Sequence, residues 1–276
     1  MKTRVLVAAV GIPFLLAVIL LLPPVATAGL VAIMCCFAAY ELLWRTGLAR
    51  HVRLVVYAGV MGVLVCFWSL SGQNSPWVGA VVFAFFAALF CELLAGHTGL
   101  AFAEICYTAF AGLVIPLALS ALVRLRAMPQ GGAHVITSLV MAFSADSAAY
   151  FVGRAFGKHK LAPVISPHKT VEGAVGGVLG SIGMMLLYAC VLHSLHTSVS
   201  YGAAALYGFL GALASMLGDL TFSVIKRQTG VKDYGTLLPG HGGILDRFDS
   251  MVVVAPLTEI LWLLLPFFDA AVKLKR

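Results

Sequence analysis

Nine apolar stretches dominate this 276-residue sequence: 5–22, 25–43, 54–71, 77–95, 100–123, 133–152, 172–193, 201–225 and 250–268. A helix needs about 20 mainly apolar residues to cross the hydrocarbon of a bilayer. With 61% hydrophobic and 11% charged residues, the chain has too little polar surface to clothe a soluble globule of this size. Soluble domains carry about 25% charged residues. The sequence is therefore read as all-α: a polytopic transmembrane helical bundle of about nine spans, with polar loops on the cytoplasmic side forming the site. Turn chemistry separates the stretches, at Pro23-Pro24 and in "GQNSP" (72–76), "GHTG" (96–99) and "MPQGG" (128–132). The start resembles a signal peptide, with Lys2, Arg4 and Ala26-Thr27-Ala28. Its apolar run, Val5 to Leu22, exceeds the usual signal core of about 7–15 residues, so an uncleaved first helix is expected.

Two connections differ in kind. Residues 153–171 read "GRAFGKHKLAPVISPHKTV", and 226–249 read "KRQTGVKDYGTLLPGHGGILDRFD". They divide the chain into N-terminal membrane helices, 1–132, and a C-terminal half, 133–276, that carries the chemistry. With nine spans and the N-terminus inside, 13 of the 18 lysines and arginines fall on the inner side, and both polar loops are among them. The net charge of +7 is first a matter of topology and anionic lipid, then of an anionic substrate. No nucleic-acid partner is expected. The six cysteines all lie in apolar stretches without a CxxC, and read as packing residues.

Acids inside spans are costly unless paired, hydrated or metal-bound. Glu41, Glu92 and Asp269 lie near span ends, where water is close. Glu104 and Glu259 fit structural pairing and function equally. Asp146, in "SADSAAYFVG", and Asp219, in "SMLGDLTFSVIKR", sit deeper. On a helix, Ser215, Asp219, Ser223 and Lys226 make one polar stripe leading to the second loop. Asp146 and Tyr150 share a face leading to the first. Such stripes are interhelical glue or the wall of a water-filled site.

The second loop supplies what such a site would need. Asp246 and Asp249 share a face if a helix begins near Leu245. With Asp219 and Asp146 they make a set of three or four carboxylates, the ligand type of a hard cation such as Mg²⁺. Lys226, Arg227, Lys232 and Arg247, with Lys160 and Lys169 from the first loop, suit phosphoryl groups beside a metal. Gly240, Gly242 and Gly243 allow close backbone approach. His241 has three roles open to it: binding a phosphate, moving a proton or holding the loop. In the first loop, Ser166 or Thr170 can cap a helix starting near Val171, with Glu172 in its first turn. Gly173, Gly177 and Ser181 have small-xxx-small spacing for close helix packing. Lys169 and His168 stand by that helix start, a natural seat for an anion.

The stretch "SVIKRQTGVKDYGTLLPGHGGILDRFD", 223–249, resembles the signature of the phosphatidate cytidylyltransferases, also called CDP-diacylglycerol synthases. Ser223, Lys226, Arg227, Lys232, Asp233, Gly235, Pro239, His241, Gly242, Gly243, Asp246, Arg247 and Asp249 fit its fixed positions. "ISPHKTVEGAVGG" is similar to the family's second segment, with His168 where the family has lysine. The resemblance covers roughly the C-terminal half, and the first five spans carry no motif.

The resemblance implies transfer of a cytidylyl group from CTP to phosphatidic acid, with Mg²⁺ required, in a homodimer of multi-span subunits. It leaves open a second cation beside Mg²⁺. It makes Asp219 and Asp246 the metal-binding acids, with Asp249 close by; the catalytic residues expected here are Asp219, Asp246, Asp249, Lys226 and Arg227. Ser166, Lys169, Ser223, Lys232, His241, Gly242, Gly243, Arg247 and Asp146 are the expected substrate contacts. The expected location is the inner (cytoplasmic) membrane, with the site facing the cytoplasm. The alternative is a cation- or proton-coupled secondary transporter using Asp146 and Asp219, against which stand the lack of a repeat and the polar residues gathered outside the spans.

Overall fold

The computed structural model describes residues 2–71, 77–96, 99–195, 197–237 and 242–269. In chain order the elements are α1 (Lys2–Leu21), α2 (Pro24–Ala39) running into a π-helical turn (Tyr40–Arg45), α3 (Val52–Trp68) and α4 (Trp77–Ala95). Next comes a long bent rod: α5 (Phe102–Ala109), a second π turn (Phe110–Val114), α6 (Ile115–Leu119) and α7 (Ala121–Ala127). Then follow α8 (Gly131–Phe156), strands β1 (Lys160–Ala162) and β2 (Ser166–Thr170), α9 (Val171–Ser194), α10 (Tyr201–Gln228), α11 (Leu245–Phe248) and α12 (Met251–Leu264). This is an all-α membrane architecture. Six helices among the described residues are long and apolar enough to cross a bilayer: Pro24–Arg45, Trp77–Ala95, Phe102–Ala127, Gly131–Phe156, Val171–Ser194 and Tyr201–Gln228.

Each expected apolar stretch corresponds to a helix, but not always to one of spanning length. The α3 helix has 17 residues. The α12 helix has only 14, where a span over 250–268 was expected. Beyond it the chain leaves the helix and pairs back: Ser200 N donates to Phe267 O, and Asp269 N to Ser198 O. The loop expected at 153–171 contains structure. The α8 helix runs on to Phe156, and β1 and β2 pair antiparallel, Lys160 with Thr170 and Ala162 with Ser166.

The chain divides into two compact units. The first joins Met1–Arg124 to Lys226–Phe248. In it Gly112 meets α3 so closely that a Cβ would stand 2.8 Å from Ala58 Cα. Pro116 follows in the same bent rod. Proline supplies no amide to the helical ladder, and a π turn just before it accommodates that interruption.

The second unit joins Leu125–Ile225 to Asp249–Arg276. Its centre is the α8–α9 pair, packed through small residues. A Cβ on Gly173 would lie 2.8 Å from Ala149 O, and one on Gly177 2.9 Å from Ala145 O. Ser181 Oγ donates to Met141 O at 3.3 Å. As the α9 numbers rise the α8 numbers fall, so the helices are antiparallel. The spacing of 173, 177 and 181 therefore does what it predicts. Between them the hairpin is tied to the start of α9: Thr170 Oγ1 accepts from Gly173 N at 3.1 Å. Glu172 accepts from the backbone amides of Lys158 and His159, and lies 2.6 Å from His159 Nδ1.

Candidate active site

In the second unit, α8, α9, α10 and the hairpin enclose a cavity of about 480 Å³. Alanine, glycine, valine and methionine make most of its wall. The polar lining is Asp146, Tyr150, Arg154, His168, Lys169, Thr170 and Asp219. Lys169 reaches the wall because β2 delivers it beside the capped start of α9. Its Nζ lies 2.5 Å from Asp219 Oδ2, and Ser223 Oγ donates to Asp219 Oδ1 at 3.3 Å. Ser215, one turn before Asp219, donates to Asp146 Oδ1 at 2.7 Å. Ser250 Oγ lies 3.1 Å from Asp146 Oδ2 and 3.4 Å from Asp249 Oδ1. A hydroxyl has one proton to give, so it serves one carboxylate at a time. Asp249 is buried and also accepts from Ser250 N at 2.7 Å. Ser166 opens β2 and is half-buried.

The first unit holds the second cluster. Lys226 Nζ is 2.9 Å from Asp246 Oδ1, and Asp246 Oδ2 accepts from Tyr234 N at 2.8 Å and Gly243 N at 2.9 Å. The Tyr234 ring is buried, with Lys226 Nζ 5.4 Å from its centre. The α11 helix begins at Leu245, as the sequence predicts, but ends at Phe248. Gly242 adopts a φ of +86°, a backbone state that glycine reaches at little cost. Arg227, Lys232 and Arg247 are exposed. His241 lies outside the described residues.

The sequence reading misplaces one acid. Glu41 is not at a wet span end: it is 2% exposed, and it accepts from Ile244 N at 3.0 Å and Leu245 N at 2.8 Å. Nothing in the sequence near residue 41 signals this, because its partners are about 200 positions away. Glu104 is likewise buried, accepting from Arg50 N at 2.9 Å. Glu92 pairs with Arg53 at 2.9 Å.

The expected convergence of three or four carboxylates is not found: among the described residues no three His, Cys, Asp or Glu side chains are grouped for a metal. Asp219 and Asp246 instead each sit against a lysine, one in each unit. Their chemistry still suits a hard cation. A carboxylate has about four lone-pair positions. Among the described residues Asp219 uses one on each oxygen, and Asp246 uses two on Oδ2 and one on Oδ1. Oxygen donors of this kind remain for Mg²⁺, and no thiolate accompanies them.

The fold and these lysine–aspartate clusters define a polytopic α-helical membrane protein with acid and base chemistry gathered near helix ends. The chain belongs to the Cytidylyltransferase family, whose sequence model matches residues 2–265. It is 34% identical over 243 residues to the phosphatidate cytidylyltransferase of Bacillus subtilis (strain 168), covering 84% of this chain and 86% of that protein. It is 31% identical over 289 residues to the phosphatidate cytidylyltransferase of Staphylococcus aureus (strain COL), covering 95% and 98%. The likeness thus reaches through the N-terminal helices, which carry no motif of their own.

Proposed function

We propose that this protein transfers the cytidylyl group of CTP to phosphatidic acid, giving CDP-diacylglycerol and pyrophosphate for phospholipid synthesis. A phosphatidate oxygen attacks the α-phosphorus of CTP. The bond from that phosphorus to the bridging oxygen breaks, and pyrophosphate leaves. The attacking oxygen is already ionised, so no general base is needed. The barrier is largely electrostatic, since both reactants are anions. The observation that carries this reading is the Lys226–Asp246 pair, held at 2.9 Å within the 223–249 signature of a chain that matches the family over residues 2–265.

Asp219 and Asp246 are the proposed ligands of Mg²⁺, to which a second cation can be added. The metal would neutralise charge on the triphosphate. Lys226, Arg227, Lys232 and Arg247 share the remaining charge, with His241, Gly242 and Gly243 near the phosphates. The cavity of the second unit suits the lipid partner: its wall is largely apolar, Lys169 and Arg154 offer cations to a phosphate, and His168 offers a ring nitrogen. Ser166 and Ser223 supply hydroxyls, and Asp146 and Asp249 order the serines around them. The proposed setting is a nine-span homodimer in the inner membrane, with residues 153–171 and 226–249 in the cytoplasm, where CTP is. Thirteen lysines and arginines on that side support the orientation.

The test is purified protein in detergent with radiolabelled CTP and phosphatidic acid, with and without Mg²⁺. Labelled CDP-diacylglycerol is expected only with Mg²⁺. A folded protein that forms none under either condition would overturn the assignment.

A further inference from the structure

The structure assigns a positioning role to Glu41, which lies outside every motif of the chain. Glu41 sits in the π turn that ends the α2 rod. Such a turn adds a residue to the helical circuit and re-aims the side chains that follow. Here it accompanies a buried carboxylate. Both oxygens are used: Oε1 accepts from Ile244 N and Oε2 from Leu245 N.

Those amides immediately follow Gly243, whose own amide is held by Asp246. The pattern repeats on the other segment. Tyr234 gives its amide to Asp246, and Gly235, the next residue, packs against Glu41. A Cβ on either Gly235 or Gly243 would strike the Glu41 carboxylate. Two carboxylates, 41 and 246, therefore grip the same two stretches of chain, 234–235 and 243–245. Asp246 faces Lys226, and Glu41 holds the backbone that aims Asp246. Glu41 touches no proposed substrate group itself.

We infer that Glu41 fixes the geometry of the Asp246 carboxylate and so sets how tightly that acid holds a divalent ion; this rests on the reading of Asp246 as a metal ligand. Glutamine at 41 keeps the volume but turns one acceptor into a donor, leaving a backbone amide facing an NH₂ group.

The test uses the full chain in detergent and reads Mn²⁺ binding by electron paramagnetic resonance, with CTP present, beside the rate of CDP-diacylglycerol formation. Glu41→Gln is expected to weaken Mn²⁺ binding by about 10–100-fold, the usual effect of losing a group that orients a metal ligand. The kcat should fall while the KM for phosphatidic acid stays near that of the parent. Gly235→Ala should act in the same direction by displacing Glu41, and it carries the test if Glu41→Gln does not fold. Parent-like Mn²⁺ binding in the folded variants, with binding lost in Asp246→Asn, overturns the role of Glu41 alone. Unchanged binding in Asp246→Asn overturns the metal reading and this inference with it.

Discussion

Lys226 Nζ lies 2.9 Å from Asp246 Oδ1, joining the last turn of α10 to the start of α11. Their side chains are only 11% and 3% exposed, so water screens the pair little. Removing one partner strands the other charge, which costs more than the pair's net worth. Lys226→Met is expected to destabilise the protein by about 3 kcal/mol. It should also lower the rate of product formation. Thermal unfolding in detergent reads the first effect, and Lys226→Arg, which keeps the charge, should recover much of it. A Lys226→Met protein that melts with the parent would show that the pair contributes nothing to the fold.

Lys169 makes a different prediction, because its ammonium stands in a cavity wall. At 24% side-chain exposure it is accessible, and its contact to Asp219 is part of that wall. If it takes the lipid phosphate, Lys169→Gln should raise the KM for phosphatidic acid about tenfold, the worth of one charge-assisted hydrogen bond. The KM for CTP should change far less. Initial rates in mixed micelles, with each substrate varied in turn, separate the two. An increase confined to the CTP term would move Lys169 to the nucleotide.

Local chemistry was legible in the sequence, and long-range chemistry was not. Thr170 caps α9 at the predicted start, and α11 begins at Leu245, because caps and helix spacing are set by neighbours a few residues away. The polar stripe Ser215–Asp219–Ser223 was readable for the same reason. Its partners Lys169 and Asp146 come from other elements, so only the structure pairs them. The extreme case is Glu41. A carboxylate at the end of an apolar run looks the same whether it meets water or two amides about 200 residues away. The hairpin of β1 and β2 was read as loop, since strands of three and five residues leave little periodic signal.

Gly177 tests how the α8–α9 pair is held. A Cβ there would lie 2.9 Å from Ala145 O and 3.1 Å from Ala149 Cβ, both on α8. Gly177→Ala must therefore push the helices apart or bend one, at a cost of about 1–3 kcal/mol. Gly183 lies on the same helix with nothing within 4 Å of its would-be Cβ. Gly183→Ala should be neutral or slightly stabilising, since alanine favours helix by up to about 1 kcal/mol. The melting temperature of Gly177→Ala should fall below the parent's, and that of Gly183→Ala should lie at or above it. Equal shifts would mean that close packing at Gly177 does not hold the pair.

The orientation in the membrane can be read from two exposed residues. Val164 lies between β1 and β2 and is 88% exposed, and Leu237, in the second polar connection, is 47% exposed. The helices between them, α9 and α10, are both long and apolar enough to cross a bilayer. Two crossings return the chain to its starting side, so both positions should lie on one side, the cytoplasmic one in the proposed orientation. Cysteine is placed at each in turn, in a protein whose exposed Cys91, Cys106 and Cys190 are changed to serine. A membrane-impermeant maleimide should label Val164→Cys and Leu237→Cys in inside-out vesicles and neither in intact spheroplasts. Labelling of both from outside would reverse the orientation and remove CTP from reach of the site. Labelling from opposite sides would mean that one of α9 and α10 does not cross, and the nine-span topology would fail with it.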